Sequence, residues 1–299
     1  MVTRLARYFW YQEGMKSAQY VFPPRNEVLQ PPEVTIPAMP QLREAVKRTA
    51  YDLMRLPTIG PALRSAAAQQ KFFPNFRIDQ LTFLAVEKLV SENSCCIDVG
   101  AHVGDVTEML IKRAPKGHHL AIEPLSECVQ RLRQRFGEAT NLTILPFALS
   151  NTSGQQLFNA ISEFPGYSSF AKRAFRGAEA TVEQRSVETR CLDELVPEKG
   201  RIDFIKLDIE GAELKALQGA EKLLAKARPT LLLEFQRTAA PYFECSPNEM
   251  FDFLTRAGYK IWSLEQWLTG QPPLKLNKLW DLFEGDPNLY LLCRPKEMP

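Results

Sequence analysis

The run Cys95-Cys96-Ile97-Asp98-Val99-Gly100-Ala101-His102-Val103-Gly104 constrains this chain more than any other stretch. Apolar residues without polar alternation read as a strand buried on both faces, the condition of a parallel sheet covered by helices. The run reaches an acidic residue and breaks into a loop with two glycines. Glycine there lets backbone approach a ligand where a side chain would collide. Such a strand and loop belong in an open α/β sheet, with the ligand outside the carboxyl ends of the strands.

From residue 78 onward the pattern alternates between helix and strand. Strands are expected over 95–99, 119–122, 141–147, 202–207, 229–235, 259–264 and 288–293. Helices are expected from a cap at Asp79, after Gly104, over 126–136 and over 247–257. Acidic residues close several strands: Asp98, Glu123, Asp208 and Glu234. The stretch 164–170 lies in a long irregular region between the third and fourth strands, where loops tend to carry function. Trp262, Trp267, Trp280 and Phe283 surround Gly270-Gln271-Pro272-Pro273 in an insertion before the last strand. Their rings suit sugars, apolar substrates, a partner surface and core packing equally.

Residues 1–77 read as an N-terminal helical extension, distinct from a domain over 78–299. Helical patterns cover 1–22, 41–56 and 61–71, with a proline-rich, extended connector between 23 and 40. The extension shows no chemistry and reads as a cap or an oligomerisation element, so a homo-oligomer through it is expected.

Composition narrows the function. With 299 residues, 45% hydrophobic and 24% charged, the chain can bury one large core. Its formal charge of +2, from 37 basic and 35 acidic residues, gives no electrostatic case for nucleic acid or an anionic membrane, and no nucleic-acid partner is expected. Cysteines at 95, 96, 128, 191, 245 and 293 lack metal-ligand spacing and speak against a disulfide framework. No apolar run approaches the roughly 18 residues of a membrane span, and the start lacks a secretory pattern, so the expected location is the cytoplasm.

A glycine turn after a first strand fits a dinucleotide or S-adenosylmethionine. The dinucleotide fingerprint needs glycine where this chain has His102. Pyrophosphate also disfavours an adjacent carboxylate, and Asp98 precedes the turn directly. A positively charged sulfonium amino acid would be attracted by Asp98. Glu123, at the end of the second strand, can hold ribose hydroxyls of either ligand. A nicotinamide-dependent oxidoreductase and a non-catalytic binding or scaffold protein are the competing readings.

At Ile97 to Gly104 the chain resembles the FkbM-type methyltransferases, a family of S-adenosylmethionine-dependent enzymes. The likeness continues in order through Ala121-Ile122-Glu123-Pro124, Pro146-Phe147-Ala148-Leu149-Ser150 and Cys191-Leu192-Asp193-Glu194-Leu195. It then runs through Ile205-Lys206-Leu207-Asp208-Ile209-Glu210-Gly211-Ala212-Glu213 and Arg228-Pro229-Thr230-Leu231-Leu232-Leu233-Glu234. The resemblance implies a Rossmann-like class I methyltransferase fold: a mostly parallel seven-stranded sheet with helices on both faces. It implies S-adenosyl-L-methionine as cofactor, with Asp98, Gly100, Ala101 and Gly104 around its methionine part. Glu123 would then hold the ribose, and Ala148 and Leu149 would border the adenine. It further implies O-methylation of a hydroxyl on a carbohydrate or another small secondary metabolite, so the expected partner is a small-molecule or glycan acceptor. A small-residue segment occurs near 166–169 in the family, which places Gly166, Ser168 and Ser169 at the acceptor.

Methyl transfer is an in-line displacement that needs an aligned acceptor and, for a hydroxyl, a group to take its proton. The candidates are Asp208, Glu210, Glu213 and Glu234. If the fourth strand persists, Lys206, Asp208 and Glu210 project to one side. Asp208 is then the first catalytic candidate and Glu210 the second, with Glu234 near the acceptor and Glu213 at a helix N-terminus. Magnesium on Asp208 and Glu210 is chemically compatible, but two acidic residues do not make a metal site, and none is expected. His102 can face the sulfonium, the acceptor or solvent. His118 and His119 belong on the far side of the sheet.

Overall fold

The computed structural model describes residues 33–35, 74–161, 165–171, 174–176, 181–196, 200–286 and 289–297. The helical readings for 1–22, 41–56 and 61–71, and the oligomerisation element with them, lie outside the described residues. Within the connector, Glu33–Thr35 is a strand, β1.

The main body opens with helix α1 (Pro74–Leu89), β2 (Cys96–Val99), α2 (Asp105–Arg113), β3 (His119–Ile122), α3 (Ser126–Phe136) and β4 (Leu142–Leu145). Helix α1 starts ahead of Asp79, which lies within it rather than capping it; proline suits a first helical turn because no partner for its missing N–H is required there. Next come β5 (Ala148–Leu149), β6 (Gly154–Ile161), β7 (Ala174–Arg176), β8 (Val182–Arg190) and α4 (Leu192–Leu195). Strand β9 (Phe204–Leu207), α5 (Glu213–Gln218), α6 (Glu221–Ala227), β10 (Thr230–Glu234) and α7 (Pro247–Arg256) follow. The last elements are β11 (Tyr259–Ser263), α8 (Leu264–Leu268), α9 (Leu276–Gly285) and β12 (Tyr290–Pro295).

Among the described residues seven strands form one sheet in the order β11-β12-β10-β9-β2-β3-β4. The neighbours from β10 to β4 are parallel, whereas β12 runs antiparallel to both β10 and β11. This is the expected mostly parallel, Rossmann-like methyltransferase sheet. Chain direction of travel reverses between β2 and β9, the switch point at which such sheets bind ligands.

Each central strand feeds two cores because successive side chains point to opposite faces. Cys96, Phe204, Leu232 and Leu292 face one way, onto Ala85, Val86 and Val90 of the α1 region and Leu110 of α2. Ile97, Ile205, Leu231 and Leu233 face the other, onto Leu217 of α5, Leu224 of α6, Leu254 of α7 and Leu279 of α9. The tryptophan-rich insertion joins this packing. Trp267 lies against the first core, while Trp280 meets Phe283 edge-on at 6.2 Å and donates to Asn248 Oδ1 at 3.0 Å.

The region read as irregular between the third and fourth sheet strands folds into a second sheet, ordered β5-β8-β6. Strands β6 and β8 pair antiparallel from Gly154↔Thr189 to Ile161↔Val182. Most of Val-Glu-Gln-Arg-Ser-Val-Glu-Thr-Arg in β8 faces solvent, which weakens the apolar alternation that marks a strand. Strand β7 pairs in parallel with β1. Among the described residues no helix is long and apolar enough to cross a membrane.

Candidate active site

The carboxyl ends of β2, β3 and β9 open into a cleft of about 210 Å³. Its shape starts at Gly100, whose φ of 74° is left-handed and whose added Cβ would lie 2.0 Å from the Asp208 carbonyl oxygen. The turn after β2 therefore lies directly on the end of β9, with Asp208 N–H donating to Val99 O at 3.2 Å. Gly104, with φ of 87°, faces α3 instead, where a Cβ would strike Phe136 and Leu132 at 2.4 and 2.8 Å.

Asp98 and Lys206 are register partners across β2 and β9. Asp98 is buried; Thr107 Oγ1 donates to its Oδ2 at 2.6 Å, while Oδ1 lies 3.6 Å from Lys206 Nζ and receives no hydrogen bond. Lys206 also reaches Asp208 Oδ2 at 3.2 Å. Burial opposes the lysine charge, but Asp208 and Asp98 outweigh it and hold its pKa above the ordinary value.

Asp208 Oδ2 accepts a further bond from Tyr290 OH at 2.8 Å. Burial works against the Asp208 charge, yet Lys206, Glu234 and Tyr290 prevail and its pKa is lowered. Glu234 lies behind Asp208 and does not line the cleft. Burial, with the charges of Asp208, Glu210 and Glu213, holds its pKa well above the carboxylate range.

Strand β9 ends at Leu207, so the alternation from Lys206 does not extend to Glu210. Glu210 sits in a left-handed turn with φ of 57° and still lines the cleft beside Asp208. Ser169 Oγ fixes that turn by donating to Glu210 O at 3.1 Å. Glu213 fixes it from below: its Oε1 accepts from Ile209 N–H at 2.9 Å and Gly211 N–H at 3.3 Å. Burial lifts the Glu213 pKa to about 8 despite these bonds.

Glu123 accepts His102 N–H at 2.9 Å on Oε2 and Leu125 N–H at 3.0 Å on Oε1. Burial still raises its pKa to about 7. Each oxygen retains a second lone pair for a ligand hydroxyl. Ala101, Ala148 and Leu149 line the same cleft, as do Gly166 and Ser168, whose Oγ accepts Ile161 N–H at 2.9 Å. Ser169 and Gly104 support the walls without lining them. His118 and His119 stand apart, bonded to Thr143 Oγ1 and Ala114 O at 2.9 Å each. Among the described residues no three His, Cys, Asp or Glu side chains form a metal-binding cluster.

Sequence reasoning missed Tyr290, Thr107, Asp79, Phe158 and Phe170. Thr107 and Asp79 lie on helices next to the cleft, and Tyr290 begins the one reversed strand, so its first residue arrives at its neighbours' carboxyl ends. Phe158 and Phe170 meet edge-on at 5.1 Å where the second sheet closes the cleft.

Residues 98–261 match the family model described as the methyltransferase FkbM domain. The 2-O-methyltransferase NoeI of Sinorhizobium fredii is 25% identical over 161 residues, covering 48% of this chain and 64% of NoeI. The AMB antimetabolite synthetase AmbE of Pseudomonas aeruginosa is 27% identical over 203 residues, covering 55% of this chain and 9% of AmbE. The chain thus spans less than two thirds of the length of these relatives. A crystal structure of a methyltransferase FkbM from Methylobacillus flagellatus is 16% identical with a TM-score of 0.47, covering 84% of this chain and 59% of that one. The family model matches more than half of the chain, through the segments that build the cleft, and the chain belongs to the FkbM methyltransferase family.

Proposed function

We propose that this methyltransferase binds S-adenosylmethionine in the cleft and methylates a hydroxyl of a carbohydrate or another small secondary metabolite. The observation that carries the cofactor reading is Asp98 Oδ1, a buried carboxylate oxygen without a hydrogen-bond donor, beside a turn with no room for a Cβ. A buried acceptor of this kind calls for a partner. Asp98, Asp208 and Glu210 against Lys206 give the cleft a negative balance, which favours a cationic ligand over a pyrophosphate.

When bound, the cofactor supplies a methyl group on a positively charged sulfur. In this reading Asp98, Gly100 and Ala101 surround its amino-acid end, and Gly104 fixes the loop against α3. Glu123 takes the ribose hydroxyls on its remaining lone pairs, and Ala148 and Leu149 flank the adenine. Gly166 and Ser168 face the acceptor, while Ser169 acts through Glu210. Asp208 and Glu210 stand at the reacting end, to orient the acceptor or take its proton, and Glu234 tunes Asp208. The hydroxyl acceptor draws support from the relative NoeI, a 2-O-methyltransferase. A cytoplasmic location is consistent with six free cysteines.

Calorimetry tests the cofactor reading. S-adenosylmethionine should bind and NAD should not, and Asp98→Ala should weaken binding by about tenfold or more, as loss of a charged contact implies. Unchanged affinity would remove Asp98 from the site. A methyl-donor assay against sugars, glycolipids and small alcohols tests the acceptor, and methylation confined to amines would refute the hydroxyl reading.

A further inference from the structure

We propose that His102 takes the proton from the acceptor hydroxyl during methyl transfer; this rests on the reading of a hydroxyl acceptor. His102 lies in the loop between β2 and α2 with φ of 50°, a conformation uncommon outside glycine. Its N–H is pinned by Glu123 Oε2 at 2.9 Å, and the residue lines the cleft together with Lys206, Asp208 and Glu210. The left-handed backbone and a buried carboxyl thus hold His102 in the wall of the cleft.

The ring is suited to a proton. Its Nε2 is buried and meets no hydrogen-bonding partner, which leaves a polar atom for a ligand to satisfy. Burial lowers the imidazole pKa. Lys206 of β9 and Arg131 of α3 add to that, against Asp105 of α2 and the Asp208 charge. The ring is therefore neutral near pH 7, with an open lone pair.

Two neighbouring carboxyls are already engaged. Asp208 Oδ2 already receives Tyr290 OH and lies 3.2 Å from Lys206 Nζ, and these partners help hold its pKa below the ordinary value. Glu234 does not line the cleft. Glu213 is tied to the turn below and does not line the cleft. In the step, a lone pair of the acceptor oxygen forms the new C–O bond, and the C–S bonding pair stays on sulfur as a neutral thioether. The hydroxyl proton passes to a ring nitrogen of His102, and the imidazolium, favoured by Asp105 and Asp208, later releases it to water.

The chain has 3 histidines, so ring resonances can be assigned by their loss in His102→Asn. Asparagine tolerates left-handed backbone, and His102→Gln serves as a second variant; calorimetry with S-adenosylmethionine checks that each still folds and binds. In the protein alone, the His102 ring should titrate below the ordinary 6.5. With a hydroxyl acceptor from the panel, kcat of either variant should fall by roughly 10²–10³-fold with the donor KM little changed. The wild-type inflection in kcat against pH should follow the ring titration and vanish in the variants. A ring that titrates above about pH 7 overturns the proposal, as does a variant that keeps the rate or the inflection. An inflection abolished instead by Glu210→Gln overturns it too. Wild-type turnover confined to amines refutes the hydroxyl reading itself, a result distinct from active wild type with an active His102 variant.

Discussion

Gly100 has the least room for change of any residue at the cleft. A methyl group there would overlap the Asp208 carbonyl oxygen at 2.0 Å, and the left-handed φ adds strain. Gly100→Ala should lower unfolding free energy by about 2 kcal/mol or more, read from the urea midpoint at unchanged slope. A second residue-scale prediction concerns Glu213, whose folded pKa rises from 4.5 to about 8. A raised pKa contributes stability that is full below the unfolded value and is lost as pH climbs through the folded one. Melting temperature should therefore fall between about pH 4.5 and about pH 8, and Glu213→Gln should flatten that fall, because the amide oxygen can still accept both N–H bonds. An identical slope in the variant would show that another group titrates. Asp98, Gly100 and Glu123 were legible in sequence because strand end, glycine and carboxylate are neighbours along the chain. Tyr290 was not: its bond to Asp208 spans 82 positions, and no local pattern encodes it.

Among elements, the parallel strands were legible and the second sheet was not. Strands β2, β9 and β10 are buried throughout and are mostly apolar, with Asp98, Lys206 and Glu234 as their charged residues. Strand β8 has only its inner residues covered, and a ladder facing water leaves little trace in composition. That sheet still governs the cleft, since Asn159 of β6 pairs with Ser169, which in turn grips the Glu210 turn. Ser169→Ala should leave a buried carbonyl without its donor and lower stability by about 1–2 kcal/mol. It should also reduce kcat more than donor affinity, because the turn it loosens faces the acceptor; equal loss in both would refute that separation. Helix α7 depends on a capping box between Ser246 and Glu249. Ser246→Ala should cost about 1 kcal/mol by thermal unfolding and leave the cleft untouched.

At the scale of the molecule, the cleft is assembled from the ends of β2, β3 and β9 and from the second sheet, so ligand binding and folding are linked. S-adenosylmethionine at about 100 times its dissociation constant should add about 2.7 kcal/mol to stability, seen as a rise in melting temperature of about 5 °C or more. NAD at equal concentration should produce no rise, and a shift with NAD alone would reverse the cofactor reading. That the sheet is open and mostly parallel followed from alternating helix and strand patterns; its order did not. Which strand neighbours which is fixed by packing, and β12 had no sequence mark for its place.

That place has a consequence for synthesis. Strand β12 fills the slot between β10 and β11, yet leaves the ribosome after both. Until it emerges, Leu231 to Leu233 of β10 offer an unpaired apolar edge to any passing strand, including that of a neighbouring nascent chain. Translation arrested before Tyr290 should therefore yield chains that bind chaperones and aggregate, and emergence of β12 should close the sheet and deliver Tyr290 to Asp208 together.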